Sequence, residues 1–171
     1  MKIFLILSCI IFFNISNAIE VNVTDNTFYV NGKPHYMKGI CYHPVPKGKI
    51  KRDFSNLNTD LALMKEAGIN TIRVYEPIDD INVLNTLDDA GIKVVINFGY
   101  NQRGRYDILS GSLIDYIYKY KDHAAILMWG LGNEYNYHPQ WFGGNINTWY
   151  AVLELAAQAI KTIDQSRLVS S

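Results

Sequence analysis

The chain has almost no charge imbalance: sixteen Lys and Arg against sixteen Asp and Glu in 171 residues. That leaves no electrostatic reason to expect nucleic acid or an anionic membrane as partner. Histidine is sparse, and His35, His43, His123 and His138 stand far apart. A metal-dependent barrel hydrolase would need a cluster such as a His-x-His pair on its first strand, so no metal or other cofactor is expected. No glycine-rich phosphate loop follows the first strand, which argues against a dinucleotide fold. Cysteine is nearly absent. Cys9 falls in the leader described below, and Cys41 alone cannot form an internal disulfide; it is expected to be a small buried apolar residue. The one long apolar run, Ile3 to Phe13, is too short for the roughly 20 residues of a spanning helix.

That run reads instead as a secretory signal peptide over residues 1–18, with Lys2 before it and the small-residue cleavage site Ser16-Asn17-Ala18 after it. A secreted protein, extracellular or periplasmic, is expected, with no membrane span after cleavage. Asn22-Val23-Thr24 is a glycosylation sequon if the host is eukaryotic, though chance produces such triplets as readily.

The remainder is rich in what makes a globular core: 49% hydrophobic, 19% charged, 13% aromatic with twelve Tyr. Phe28-Tyr29-Val30 and His35-Tyr36-Met37 flank Asn31-Gly32, a hairpin turn dipeptide. Met37–Ile40 reads as the first strand of the main unit. Pro44, Pro46 and Gly48 mark a loop at 43–54 whose basic residues are expected to be solvated. A repeat follows. Leu57, Leu61 and Met64 mark a helix face, Ala67-Gly68-Ile69 ends it, and Thr71–Tyr75 is a strand. Ile81, Leu84 and Leu87 mark the next helix from Asp79-Asp80, Ala90-Gly91-Ile92 ends it, and Val94–Phe98 is a strand. In both endings the glycine is the left-handed cap and the isoleucine packs back. Leu113–Tyr120 and Thr148–Ile163 are further helices. Ala125–Leu131 is an apolar strand expected to be buried on both faces, and Leu168–Ser171 begins another.

Strands alternating with helices imply βαβ units and a parallel sheet. Residues 19–171 fall short of the ~250 typical of an eight-stranded α/β barrel. The fold is therefore α/β: an open doubly wound sheet or, as expected here, the N-terminal part (strands 1 to about 5) of a TIM barrel behind a short hairpin. Ending within a strand, with a parallel edge exposed, favours a domain truncated at the C-terminus.

In such a barrel, chemistry sits after the strands. The positions after them are Tyr42 and His43; Arg73, Tyr75 and Glu76; Asn97, Tyr100, Asn101 and Gln102; then Asn133, Glu134, Tyr135, Asn136 and Tyr137, with His138 and Trp141 beyond. Amides, carboxylates and flat rings are what a sugar cleft requires. Glu76, before Pro77, is read as a loop residue. Trp129 fits core or cleft, and Tyr116, Tyr118 and Tyr120 are expected on a helix, away from the cleft.

Phe28–Pro34 with Met37–Ile40, Asn70-Thr71-Ile72-Arg73-Val74-Tyr75, and Trp129-Gly130-Leu131-Gly132-Asn133-Glu134 together resemble the clan A glycoside hydrolases, above all the barrel domain of glycoside hydrolase family 2. The Asn70–Tyr75 segment also resembles fungal β-1,3-glucanosyltransferases. The resemblance implies that Glu134 is the general acid/base of a retaining hydrolase and that Asn133 holds the sugar 2-hydroxyl. It implies that Arg73 supports the nucleophile and that Tyr42 and His43 line the −1 subsite. Tyr75, Asn97 and Trp141 complete the expected substrate-binding set, for an oligo- or polysaccharide. Retaining hydrolysis needs a second carboxylate about 5 Å from the first. The family takes it from strand seven, so this segment alone is expected not to turn over. A non-catalytic carbohydrate-binding remnant and a glucanosyltransferase-like transglycosidase are the alternatives.

Overall fold

The computed structural model describes residues 19–99 and 105–171. The expected leader, Tyr100, Asn101 and Gln102 lie outside these. Two sheets and four helices are formed in the order β1 (Val21–Thr24), β2 (Thr27–Val30), β3 (Lys33–Pro34), β4 (Gly39–Cys41), α1 (Leu57–Glu66), β5 (Thr71–Val74), α2 (Ile81–Asp89), β6 (Lys93–Phe98), α3 (Leu113–Tyr120), β7 (Ile126–Leu131), α4 (Ile146–Ile163) and β8 (Leu168–Ser170). Among the described residues no helix is long and apolar enough to cross a membrane.

β1, β2 and β3 form a small antiparallel sheet. Asn31 and Gly32 both take positive φ, 51° and 72°, as a tight turn between twisted strands demands. The second arm of this hairpin is Lys33–Pro34 rather than the expected His35–Met37. Asp25 and Asn26, also at positive φ, make a second turn to β1, which the sequence reading missed. This sheet closes off the strand beginnings of the larger one. Ile19 and Val21 pack on Leu127, the Val21 N–H donates to the Ser166 carbonyl at 2.8 Å, and the His35 ring lies 3.1 Å from the Thr71 hydroxyl.

β4 to β8 form a five-stranded parallel sheet in the order β4-β5-β6-β7-β8. That order decides between the two α/β arrangements. A doubly wound sheet reverses its strand order at a switch point, whereas a barrel adds each strand beside the last. The order here runs without reversal, so the fold is that of a barrel's first strands.

The register sorts the strand residues into rows. Val74, Ile96, Trp129 and Val169 share one row, with Phe98 and Leu131 in the next row on the same face. These pack with Leu57, Leu61 and Met64 of α1, Leu84 and Leu87 of α2, and Leu113, Tyr116 and Ile117 of α3 in one core. Cys41, Arg73, Val95, Met128 and Leu168 form the alternate row, with Asn97, Gly130 and Ser170 above it. A slip in pairing between Val94 and Val95 leaves Leu127 over to the small sheet.

The two Ala-Gly-Ile endings have the same geometry. Gly68 and Gly91 adopt φ of 72° and 73°, and the Ile69 and Ile92 N–H groups reach back to the Met64 and Leu87 carbonyls at 2.8 and 2.9 Å. Asp80 caps α2 by accepting from the Asn82 N–H at 2.9 Å. Below α4 lies a charged core that the sequence reading missed. Arg167, fully buried, pairs with Asp164 at 3.1 Å and donates to the Ile126 carbonyl, and the Trp129 indole N–H donates to Asp164 at 2.8 Å. Trp129 is therefore core.

Three expectations are corrected. Cys41 is exposed, because β4 is an edge strand. Ile81 is exposed, and Val83 takes its place on the buried face of α2. Arg52 is not solvated: its guanidinium donates to the Glu76 and Pro77 carbonyls at 2.7 and 2.8 Å and pairs with the Glu76 carboxylate at 3.2 Å. β7 is buried along both faces as expected, with Met128 alone partly exposed among its six residues. Tyr116 and Tyr120 are core and Tyr118 is surface.

Candidate active site on the strand-end rim

The rim is built upward from Asn97 and Gly130. A Cβ on Gly130 would stand 2.4 Å from the Asn97 amide oxygen, so only glycine lets that side chain lie across β7. From there the Asn97 amide donates to the Gly132 carbonyl at 3.0 Å, and the Gly132 N–H donates to the Phe98 carbonyl at 2.8 Å. The residue just before Asn133 and Glu134 is thus held at both polar groups. Asn97, expected among the substrate contacts, is buried with its amide on the Gly132 backbone carbonyl.

Glu134 itself is exposed and adopts φ 57°, ψ 27°. For a non-glycine residue that left-handed conformation costs about 1–3 kcal/mol, and such strain collects at functional sites. The backbone bends there into a short 3-10 turn, Tyr135–Tyr137, whose Tyr137 N–H returns to the Glu134 carbonyl at 2.9 Å. Tyr135 was expected on the rim but is the anchor of the loop. Its ring stacks on Trp149 of α4 at 4.2 Å and meets the edge of Trp141 at 5.0 Å. Burial, and then the Asp107 carboxylate, push its phenol up to about 12, so it stays neutral.

Four of the expected site residues come together across the rim. The Arg73 guanidinium donates to the Asn133 amide oxygen at 3.3 Å and lies 5.0 Å from the centre of the Tyr75 ring. Tyr75 in turn meets His43 edge-on at 5.8 Å. The row His43–Tyr75–Arg73–Asn133 therefore joins the loops after β4, β5 and β7, with Glu134 next in line. Among the described residues Arg73 bonds an amide, not a carboxylate, so the structural ion pair that a charge within a strand suggests is absent there.

Two expected residues stand apart. Tyr42 turns to the other side of the sheet, where it is buried in the core, meets Phe54, and donates to Asp60 at 2.6 Å. Burial first, then the Asp60 hydrogen bond, raises its phenol above the usual range. Trp141 belongs to the loop beyond Glu134, where it stacks on His138 at 4.1 Å. A cavity of about 270 Å³ lies between this loop and α4, lined by Asn133, Glu134, Tyr135, Trp149, Tyr150 and Leu153 among others. Glu76 pairs with Arg52 at 3.2 Å. Neither the Glu134 backbone nor the Arg52 clamp had a local sequence signal: Gly or Asn would have announced the first, and a run of basic residues hides the second.

Residues 21–104 match the family model for glycosyl hydrolases family 2, TIM barrel domain. The barrel segment thus resembles that family, as its motifs do. Among curated relatives, a β-glucuronidase of Bacteroides fragilis is 30% identical over 124 residues, 64% of this chain and 18% of the relative. The 1,3-β-glucanosyltransferase gel1 of Aspergillus fumigatus is 32% identical over 83 residues, 45% of this chain and 18% of the relative. The chain thus spans about a fifth of the length of these relatives. Among solved structures, a β-glucuronidase of Parabacteroides merdae superposes with a TM-score of 0.72 at 20% identity, covering 88% of this chain and 20% of that one. A family 2 β-galacturonidase of Eisenbergiella tayi superposes with a TM-score of 0.63 at 25% identity, covering 89% and 28%. The fold is that of the TIM-barrel glycosidases.

Proposed function

We propose that this chain is the N-terminal part of a secreted, retaining β-glycosidase barrel in which Glu134 is the general acid/base. The observation that carries the reading is the Arg73–Asn133 bond, which sets an amide and a cation beside Glu134 on the strand-end rim. In the reaction, the Glu134 carboxyl gives its proton to the glycosidic oxygen as a second carboxylate attacks the anomeric carbon. Glu134 then takes a proton from water as that water attacks the anomeric carbon and breaks its bond to the second carboxylate, freeing the sugar. The Asn133 amide bonds the 2-hydroxyl, a contact that strengthens as charge develops at the anomeric carbon. The resemblance assigns the attacking carboxylate to a seventh barrel strand, and the parallel sheet of the described residues has five strands, so the 171-residue chain alone is expected not to turn over. The relatives point to β-linked uronic acid or hexose glycosides as substrates.

The test is leaving-group dependence in the barrel extended to full length. Glu134→Gln should cut turnover of a methyl or sugar leaving group by about 10²–10⁴. It should cut bond cleavage of a dinitrophenyl glycoside far less, because that leaving group needs no proton. Equal losses on both substrates would contradict the assignment. The similarity to gel1 keeps transfer to a second sugar as a second reading; lengthened products from laminarihexaose would establish it.

A further inference from the structure

Tyr75 stands at the foot of a loop that forms no regular structure. Residues 75–80 join β5 to α2, and Pro77 among them has no N–H to donate. Backbone carbonyls withdrawn from water need partners. Here three in succession take them from side chains of other elements. The Arg52 guanidinium donates to the Glu76 and Pro77 carbonyls at 2.7 and 2.8 Å, and the Tyr116 hydroxyl of α3 donates to the Ile78 carbonyl at 2.7 Å. Asp79, next along the chain, accepts from Lys119 at 2.9 Å, from Tyr120 at 3.0 Å and from Arg105. Asp80 then caps α2.

Arg52 reaches this loop from the neighbouring rim loop, the one that follows β4. That loop is closed on itself. The Val45 N–H returns to the His43 carbonyl and the Asp53 N–H to the Pro44 carbonyl, both at 2.8 Å. One guanidinium therefore ties the backbone just beyond Tyr75 to a loop anchored just beyond His43. The His43 and Tyr75 rings meet edge-on between these two anchored points, at 5.8 Å. Tyr75 also lies 5.0 Å from the Arg73 guanidinium, which donates to the Asn133 amide oxygen at 3.3 Å. An arginine side chain has many rotamers to lose, and a ring held beside its guanidinium favours those that face the ring.

We propose that Arg52 is a positioning residue for the rim. By clamping the Glu76 and Pro77 carbonyls it holds Tyr75 against Arg73, and so fixes where Arg73 meets Asn133 beside Glu134. The fork is what the clamp requires. Carbonyls on successive residues take two N–H groups of one planar guanidinium, a geometry that the point charge of a lysine does not reproduce. The consequence for catalysis rests on Glu134 as acid/base; the placing of Arg73 does not.

Two readouts keep these apart. In the 171-residue chain, the Arg73 side-chain N–H and Asn133 side-chain amide resonances report the placing itself. Tyr75→Leu, which removes the ring, sets the direction of the shift. Arg52→Lys should move both resonances the same way, and Arg52→Ala should move them further. The lysine variant keeps the charge beside Glu76, so it carries the test if the alanine variant fails to fold. In the barrel extended to full length, Arg52→Lys should lower turnover about tenfold, since a misplacement of about 1 Å far from the chemistry can cost 10²-fold. Joined to Tyr75→Leu, it should lower turnover no further than Tyr75→Leu alone. Unmoved Arg73 and Asn133 resonances in a folded Arg52→Lys chain would overturn the proposal. So would a loss of turnover that simply multiplies that of Tyr75→Leu. Should Glu134→Gln retain turnover, the resonances alone decide, and the two failures are told apart.

Discussion

The two faces of the five-stranded sheet are built from different chemistry. Toward the helices stand Ile72, Val74, Val94, Ile96, Phe98, Ile126, Trp129 and Leu131, all 1% exposed or less. On the opposite face stand Cys41, Arg73, Val95, Asn97, Met128, Gly130 and Ser170, a mixture of small, polar and charged groups, several of them partly open to water. One face holds the fold by burying apolar area. The other aims an amide at the backbone of the Glu134 loop and a cation at Asn133. A single strand serves both ends: Phe98 and Asn97 are neighbours on β6, one packed under α3 through Tyr116 and the other reaching Gly132.

Substitutions on each face should separate these roles. The largest loss is expected on the helix side. Phe98→Ala removes a fully buried ring in contact with Tyr116 and Trp129 and should cost about 3–5 kcal/mol in urea unfolding. A loss below about 1 kcal/mol would mean that this face is not the core. Next comes Gly130→Ala on the opposite face. Its Cβ must displace the Asn97 amide, so about 1–3 kcal/mol should be lost together with the Asn97–Gly132 bond. Asn97→Ala should then no longer be additive with it in a double-mutant cycle.

Acid sharpens the same contrast from beneath the sheet. Burial, and then Lys93, hold His35 below its ordinary value, and burial above all does the same for His123. Their neutral forms are favoured on folding, so their contribution is full above about pH 6.5 and fades as pH falls below it. Burial pulls the Asp164 carboxyl upward, but Ser166, Trp129 and Arg167 together outweigh it and hold it low. Its contribution is present above about pH 4 and lost as pH falls further. The urea midpoint should therefore decline in two stages on acidification, and a flat profile from pH 7 to 3 would contradict these assignments. The smallest effect is expected at exposed Cys41, where Cys41→Ser should stay within about 0.5 kcal/mol.

The helix-facing pattern was legible in the sequence because it obeys one period. Leu57, Leu61 and Met64 were marked as a helix face and are the buried residues of α1. The paired Ala-Gly-Ile endings were legible because a left-handed cap admits few residues other than glycine. What escaped depends on contacts distant in the chain. Tyr42 was placed on the rim from its position after a strand, but Asp60, on α1, draws it to the other face. Arg52 lay hidden in a run of basic residues, and its partner Glu76 is on another loop. The backbone contact of Asn97 was not legible either, since only the missing Cβ of Gly130 makes room for it. Arg73, Tyr75 and Asn133 do lie together, because they stand within or just after parallel strands whose ends share a rim.

The most direct measurement is a double readout on one variant of the full-length barrel. Glu134→Gln changes an exposed side chain, so its unfolding free energy should stay within about 0.5 kcal/mol of the parent. Its turnover of an oligosaccharide should fall by two or more orders of magnitude. Retained turnover in a fully folded variant, or loss of fold and turnover together, would contradict the division of labour between the two faces.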